Sequence, residues 1–112
     1  MFPLRRFTLW WKRVGDIWEV GGASIASNGD LYVATGNSRG SQTYDYGDGV
    51  VQLSPTLSAI SYFASSNYVK LNQQDQDLGA TGPVLVNNMN LVFLVGKQGV
   101  GYLLSQSNLW RD

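Results

Sequence analysis

Carboxylates, lysines and tyrosines are the side chains left for chemistry in this chain, because its 112 residues include no histidine and no cysteine. This composition excludes Ser-His-Asp triads, imidazole metal ligands, thiolate zinc sites and thiol nucleophiles. Two aspartates, Asp75 and Asp77, lie close together in the polar segment "QDQDLGA", and Lys97 lies in "GKQG". An ionised aspartate can accept a proton, and an ammonium group can stabilise negative charge that develops on an oxygen. Any reaction at these residues would therefore use acid–base chemistry or a bound cofactor.

The overall composition narrows the classes of partner. The formal net charge is zero and 14% of the residues are charged, so no basic surface for nucleic acid is expected. No apolar run approaches the roughly 20 residues that a membrane-spanning helix needs. The first segment, "MFPLRRFTLWWKRVGD", has arginines before an apolar patch, but Lys12 and Arg13 interrupt the patch and no small-residue cleavage site follows. We therefore expect residues 1–20 to form an irregular segment with a truncated or misassigned start, and no signal peptide is visible.

From residue 21 onward, short apolar runs alternate with turns rich in glycine, asparagine, aspartate and serine. Such runs predict β-strands, and no segment keeps a helical apolar period over three turns. In "LYVATG" the alternation places Leu31, Val33 and Thr35 on one face and Tyr32 and Ala34 on the other. The preceding "SNGD" carries an Asn-Gly pair, which predicts a tight hairpin turn whose two central residues both have positive φ. Four successive strands are predicted, within 21–27, 31–36, 49–54 and 58–64.

The pattern restarts after the polar segment 65–82, for which we expect a long loop or an ordered excursion. There "PVLVN" (83–87) matches the first strand, "LVFLVG" (91–96) matches "LYVATG" residue for residue, and "VGYLLS" (100–105) matches "GVVQLS". The repeat predicts an all-β chain of two antiparallel four-stranded meanders, the second incomplete, packed as consecutive blades of an open β-propeller fragment. An ordinary β-sandwich is the alternative. The predicted units are 1–20, a first blade at 21–64, an inter-blade loop at 65–82 and a second blade at 83–112.

An open fragment of a propeller leaves apolar blade faces and strand edges uncovered. Large uncovered apolar faces are typical of interaction sites. We therefore expect contacts with other blades or with protein partners through these surfaces, and self-association of the chain.

A family resemblance rests on four segments, "DLYVATGNSRG", "YDYGDGVVQLSPTL", "DQDLGATGPVLV" and "FLVGKQGVGYLL". In this order they resemble the quinoprotein-like propellers, the repeat family named after pyrroloquinoline quinone, over about residues 21–109. The family includes alcohol dehydrogenases that hold the quinone and a calcium ion on the ring axis. It also includes non-catalytic relatives, among them an outer-membrane assembly scaffold that binds no cofactor. The resemblance implies a propeller fold and a periplasmic or secreted location.

By this resemblance, several residues match functional positions of the dehydrogenases. Asn37 in "ATGN" matches a calcium ligand, and Lys97 in "VGKQGVGYLL" matches a lysine that contacts the quinone oxygens. Asp75 or Asp77 in "QDQDLGA" matches the base that takes the alcohol proton, although glutamines stand where the enzymes usually have a tryptophan. Each residue also has a structural interpretation, with Asn37 and Lys97 in turns and the aspartates in a solvated loop.

Three hypotheses for the function follow. The first is a non-catalytic binding or scaffold segment of a propeller, for which no cofactor is expected on this chain alone. The second is a fragment of an alcohol or sugar dehydrogenase that depends on pyrroloquinoline quinone and calcium. The third is an extracellular carbohydrate-binding module with Tyr44, Tyr46 and Trp18 as stacking platforms. Asp45 and Asp48 are interpreted as turn residues.

Overall fold

Two antiparallel sheets form most of the regular structure of the described chain. The computed structural model describes residues 17, 22–37, 44 and 46–109. Within these residues the first sheet has the order β1-β2-β3-β4 and the second the order β5-β6-β7. The strands are β1 (Ser24–Ile25), β2 (Leu31–Ala34), β3 (Gly49–Leu53), β4 (Ala59–Ala64), β5 (Val84–Val86), β6 (Leu91–Val95) and β7 (Gly101–Ser105). The helix α1 (Tyr68–Gln73) and two 3₁₀ turns, Leu78–Ala80 and Asn87–Met89, lie between strands.

Every one of these strands lies within a range that the sequence predicts as a strand. Consecutive strands are neighbours in both sheets and all pairs are antiparallel, so the prediction of two successive meanders, the second with three strands, is confirmed. Most of the predicted N-terminal segment lies outside the described residues, as do Trp18 and Asp45.

The turn between β1 and β2 differs from the prediction. Gly29 alone in this turn has a positive φ (89°), whereas the predicted turn needs two such residues. The loop is one residue longer instead, since Ala26 N–H donates to Asp30 O (2.8 Å) and Gly29 N–H donates to Ala26 O (2.9 Å). Asn28 supports the turn through its side chain, because its Oδ1 accepts the Asp30 N–H (3.0 Å).

Alternation along the strands gives each sheet two faces, as predicted for β2. The Leu31 face of the first sheet carries Leu31, Val33, Val51 and Leu53. The Tyr32 face of the first sheet carries Tyr32, Ala34, Val50 and Phe63. The Val92 face of the second sheet carries Leu85, Val92, Leu94, Tyr102 and Leu104. The Phe93 face of the second sheet carries Val84, Phe93 and Leu103.

The main hydrophobic core lies where the Val92 face packs against the Tyr32 face. Across this contact the rings of Phe63 and Tyr102 lie 5.3 Å apart, so β4 and β7 are neighbours. At the other side of the sheets β1 contacts β5, and Ser24 Oγ donates a hydrogen bond to Pro83 O. The two sheets therefore stack with their first strands together and their later strands together.

The repeat lies one residue out of the register that the sequence suggests. In the first sheet Leu31 pairs with Leu53, and in the second sheet Val92 pairs with Leu104. Leu53 and Leu104 are matched by the sequence, so the structural equivalent of Leu31 is Val92 and not Leu91. The residue-for-residue match between the second strands is therefore wrong by one position.

The backbone hydrogen bonds show the same shift. Thr35 N–H donates to Gly49 O (2.8 Å) at the end of β2, and Gly96 N–H donates to Val100 O (3.4 Å) at the end of β6. Along an antiparallel pair, only every second residue exchanges backbone hydrogen bonds with the residue opposite it. The hydrogen-bonded Thr35 of the first sheet therefore corresponds to the hydrogen-bonded Gly96 of the second sheet. The sequence could not reveal this phase, because β6 is apolar at every position and any register matches it.

With this register the two sheets stack head to tail, which means that each sheet meets its neighbour through non-equivalent faces. The Val92 face is the structural equivalent of the Leu31 face, yet it packs against the Tyr32 face. Equivalent faces thus point in the same direction in both sheets. The Phe93 face, which is equivalent to the covered Tyr32 face, remains exposed.

Segment 65–82 is an ordered excursion that packs between the sheets. Leu71 of α1 and Leu78 of the following 3₁₀ turn are both buried in the main core. The helix ends in a Schellman pattern, with Gln76 N–H donating to Leu71 O (2.8 Å) and Asp75 N–H donating to Asn72 O (3.2 Å). Asp75 has the left-handed φ (53°) that this helix end requires.

Residues 65–82 connect the two sheets and are called the linking segment below. We expect this segment to accept no side chain at Gly79. A Cβ there would collide with the backbone of Thr35 and Gly36 at the end of β2. We predict that Gly79→Ala lowers the free energy of unfolding by roughly 1–3 kcal/mol, as overpacking does. Urea denaturation measures the change. Gly96→Ala is the matched control, because its Cβ would lie 3.3 Å from Leu78 Cα, and an equal loss in both variants would contradict the expectation.

Candidate functional site

Four polar residues meet at one end of the stacked sheets. Asn37 follows β2, Asp48 precedes β3, Asp77 precedes the 3₁₀ turn 78–80, and Lys97 follows β6. The linking segment brings them together because it crosses between the ends of the two sheets. Three of the four are site residues that the sequence predicts, and Asp48 is the addition.

Asp77 is the centre of this cluster and its side chain is fully buried. Its Oδ1 accepts a hydrogen bond from the backbone N–H of Asn37 (3.2 Å), and its Oδ2 accepts a hydrogen bond from the ammonium group of Lys97 (2.9 Å). The Lys97 backbone N–H also donates to Asp77 O (3.2 Å). Asp77 therefore joins the end of β2 to the end of β6. Asn37 has a positive φ (56°), which matches its interpretation as a turn residue.

Asp75, the other predicted candidate for a catalytic base, lies at the outer rim of the cluster. Its side chain is 84% exposed, and its Oδ1 lies 3.6 Å from Lys97 Nζ. Lys97 Nζ also donates to the Asp75 backbone O (3.3 Å). The two aspartates thus differ in environment, because Asp75 ends the helix at the surface while Asp77 turns inward.

Asp48 is fully buried beside Asp77, and among the described residues neither of its carboxyl oxygens has a hydrogen-bond donor in bonding geometry. Burial raises the pKa of Asp48 to about 7, with further contributions from the negative charge of Asp77 and from the hydrogen bond that protonated Asp48 makes to it. The nearby backbone N–H groups of Leu78 and Asn37 lower this pKa only in part. Asp48 is therefore neutral below about pH 7. Its φ of 50° agrees with a turn, as predicted, but its carboxyl group belongs to the cluster.

The other charges of the cluster balance each other. Burial alone would raise the pKa of Asp77, but the hydrogen bond from Lys97 and the N–H of Asn37 hold it below its usual range. The hydrogen bond to Asp77 raises the pKa of Lys97. Below about pH 7 the cluster therefore contains one carboxylate, one ammonium and one neutral carboxylic acid.

A carboxyl pair that shares a proton could act as an acid and a base, but both carboxyl groups are closed off from solvent. The exposed fraction of Asp48 and of Asp77 is 0%, so no substrate reaches them in this arrangement. Calcium, which the family resemblance implies, takes roughly six to eight oxygen ligands. Among the described residues no group of three or more His, Cys, Asp or Glu side chains could hold a metal ion. Asp77 already binds the Lys97 ammonium, so these residues as arranged do not fit a calcium ion.

The tyrosines proposed as stacking platforms pack mainly on each other. The ring of Tyr44 lies 4.8 Å from that of Tyr62, 5.4 Å from that of Tyr68 and 5.7 Å from that of Tyr46. The Tyr44 hydroxyl donates to Gly47 O (2.8 Å). Beside these tyrosines lies an open groove of about 340 Å³, which is lined by Tyr46, Ala59, Ile60, Ser61, Tyr62 and Asn108.

Comparison of the chain with protein-family models, with curated proteins and with solved structures found no match. In the described part of the chain, no helix has the length and apolar character needed to cross a membrane. The geometry of the described residues is therefore the basis for the function proposed below.

Sequence reasoning missed the carboxyl group of Asp48 because turn chemistry explains an aspartate in "DYGDG" well. One signal was present in the sequence. Asp48 directly precedes "GVVQL", a predicted strand of mainly apolar residues, and a charged residue at that position must either leave the core or find a partner.

We predict that the stability of the protein falls between about pH 4 and pH 8, because of Asp48. A carboxyl group with a raised pKa in the folded state stabilises that state fully below its unfolded pKa of about 3.9. The contribution is lost as the pH rises through the folded pKa of about 7. The expected loss is roughly 2–4 kcal/mol in the free energy of unfolding, and chemical denaturation across this pH range measures it.

Asp48→Asn should remove most of this pH dependence, because the amide can donate to Asp77 at every pH. Asp75→Asn is the matched control, since it removes an exposed carboxylate at the rim of the same cluster. It should leave the slope unchanged. A slope that persists in Asp48→Asn would show that another group causes it.

Proposed function

We propose that the chain is a non-catalytic binding or scaffold segment of a quinoprotein-like propeller, with the two sheets as consecutive blades. The observation that carries this proposal is the head-to-tail stacking of the sheets. In a propeller every blade presents the same face to the next one, so equivalent faces point in the same rotational direction.

The order of the strands also supports this arrangement. Blades of a propeller place their first strands together near the axis and their last strands together at the rim. Here β1 contacts β5, and Phe63 of β4 contacts Tyr102 of β7. A sandwich closed by two sheets would instead bury one face of each sheet and cover the other with polar residues. The Phe93 face is apolar, which favours the propeller.

The Phe93 face is the surface that we assign to binding. Val84, Phe93 and Leu103 are cross-strand neighbours in one row, and they are 57%, 40% and 62% exposed. Single exposed apolar residues are common, but a contiguous row across three strands is typical of an interaction site.

A structural role for the polar cluster supports a function without catalysis. Lys97 and Asp77 connect the linking segment to the ends of both sheets, and the carboxyl group of Asp77 has both oxygens engaged. We therefore infer that the cluster stabilises the orientation of one sheet relative to the other. We propose no reaction step at these residues.

The binding role predicts that dilute monomeric protein binds an apolar dye such as anilinonaphthalene sulfonate through the Phe93 face. Phe93→Ser should lower the dye fluorescence clearly, because it removes the largest side chain of the row. Met89→Ser is the matched control, since Met89 is 63% exposed but lies in the turn 87–89. It should have little effect. Equal dye binding by the parent protein and Phe93→Ser would contradict the assignment of this face.

The alternative, a dehydrogenase fragment, is favoured by one observation, the convergence of Asn37, Asp77 and Lys97. A ligand that binds only the folded state raises its stability by mass action, by about 2.7 kcal/mol at 100 times its dissociation constant. We predict no rise in the thermal midpoint with calcium, with pyrroloquinoline quinone or with both. A rise that Lys97→Ala abolishes and Lys70→Ala preserves would establish the dehydrogenase alternative instead.

A further inference from the structure

The second sheet has three strands where the first sheet has four. Its third strand, β7, is the equivalent of β3, because Leu104 of β7 corresponds to Leu53 of β3. In the first sheet, β4 pairs along the outer edge of β3. Among the described residues, only Asn108 pairs with the outer edge of β7, through a bridge to Ser105. The edge from Gly101 to Leu104 is therefore the position that corresponds to β4.

The backbone groups on this edge follow from the hydrogen bonds between β7 and β6. Gln106 N–H donates to Asn90 O (2.9 Å), and only every second residue makes such bonds, so the even-numbered residues of β7 bond to β6. Gly101 and Leu103 therefore direct their N–H and C=O groups to the outer edge. In the described part of the chain no hydrogen bond reaches these groups. The edge offers two donor–acceptor pairs to an added strand.

The strand β7 lacks the features that usually prevent pairing at an open edge. Its sequence, "GYLLS", contains no charged residue and no proline. Its pairing with β6 runs without a bulge, and the Leu103 side chain is 62% exposed. An exposed, regular and uncharged edge is typical of binding by strand addition.

The first sheet shows which strand pairs with such an edge. Gln52 of β3, the equivalent of Leu103, exchanges backbone hydrogen bonds with Ser61 of β4 by the same alternation. Tyr62, the next residue of β4, directs its N–H and C=O groups away from β3. A strand added to β7 in this register therefore bonds to Leu103 through the residue that is equivalent to Ser61.

The surface beside Gly101 favours an aromatic side chain on the added strand. The ring of Phe93 lies against Gly101, because a Cβ built at Gly101 would lie 3.0 Å from Phe93 Cε2. In the first sheet, Phe63 of β4 lies opposite Val50, the equivalent of Gly101. An aromatic residue at the same position of an added strand would therefore lie beside the Phe93 ring, and aromatic pairs across strands stabilise a sheet.

We propose that the outer edge of β7 binds, by strand addition, an extended segment of a partner protein that is uncharged and aromatic, as "SYFA" in β4 is. The segment runs antiparallel to β7, in the direction that the bridge from Asn108 to Ser105 sets. It comes from a different protein, since β4 of this chain is already paired with β3. Main-chain hydrogen bonds supply the affinity, so this site is separate from docking on the Phe93 face.

A synthetic peptide of residues 58–66, "SAISYFASS", is the probe for this edge. It is titrated from about 10 µM to about 1 mM into the isotope-labelled full chain and followed by nuclear magnetic resonance. The Leu103 amide should exchange rapidly with solvent in the free protein. Saturating peptide should shift the Gly101 and Leu103 amide signals and slow the exchange of both roughly tenfold or more.

Two methylated peptides separate strand addition from other binding. A methyl group on the Ser61 nitrogen removes the donor that bonds to Leu103 O, and it should weaken binding roughly tenfold or more. A methyl group on the Tyr62 nitrogen is the matched control. This nitrogen points away from β7 in the proposed register, so the second peptide should bind like the unmodified one.

Two variants of the protein make the same comparison. Leu103→Pro removes the N–H group of the edge, and proline is tolerated on edge strands where that group faces solvent. Leu103→Ala removes the same side chain and keeps the N–H group. Circular dichroism confirms that both variants are folded. The alanine variant should bind the peptide, and the proline variant should not.

Four results would overturn the proposal. They are a Leu103 amide that is protected in the free protein, no signal shift up to the highest peptide concentration, equal binding of the two methylated peptides, and equal binding by the two variants. Self-association of the parent that Leu103→Pro abolishes would also overturn it, since the edge would then bind a second copy. The dye experiment on Phe93→Ser tests the proposed function separately, because dye binding needs no strand addition.

Discussion

The phase of side-chain alternation in β6 is the constraint on which the arrangement of this protein depends. Val92 and Leu94 point towards the first sheet, and Phe93 points away from it. Each aliphatic side chain that is fully buried contributes roughly 1.5–3 kcal/mol relative to an exposed one. A slip of one residue would exchange the two faces of β6 and place Phe93 in the core instead of Val92 and Leu94. The head-to-tail stacking and the open Phe93 face both follow from the observed phase.

The polar cluster at the ends of the sheets adds a second, directional constraint. Two buried carboxyl groups with one ammonium would carry an uncompensated charge, which is costly in a dry interior. Protonation of Asp48 removes that charge, and the hydrogen bonds of Asp77 to Asn37 and Lys97 satisfy the remaining one. Such a cluster contributes little net stability compared with apolar packing. Its hydrogen bonds, however, join the linking segment to the end of β2 and to the end of β6.

The strands and most of their boundaries could be predicted from the sequence, because alternation and glycine-rich turns are local signals. The register between the repeats could not. "LVFLVG" is apolar throughout, so only its hydrogen-bond partners show that Val92, and not Leu91, is equivalent to Leu31. The six-residue helix α1 was also hidden, because it buries a single leucine, Leu71.

The predicted site residues show a similar division. The family resemblance selected Asn37, Lys97 and either Asp75 or Asp77. Asn37, Asp77 and Lys97 lie together, but the sequence cannot show that Asp77 is closed off from solvent and that Asp75 is exposed. Asp48 is the partner that only the fold brings in, since it lies on the far side of a loop from Asn37. Burial and charge pairing are properties of the packed chain, and no local pattern encodes them.

Nuclear Overhauser contacts between the aromatic rings of dilute monomeric protein test the head-to-tail stacking most directly. We predict contacts between the rings of Phe63 and Tyr102, which lie 5.3 Å apart, and none from the ring of Phe93 to the first sheet. Contacts from Phe93 to Tyr32 or Phe63, with none from Tyr102, would contradict it.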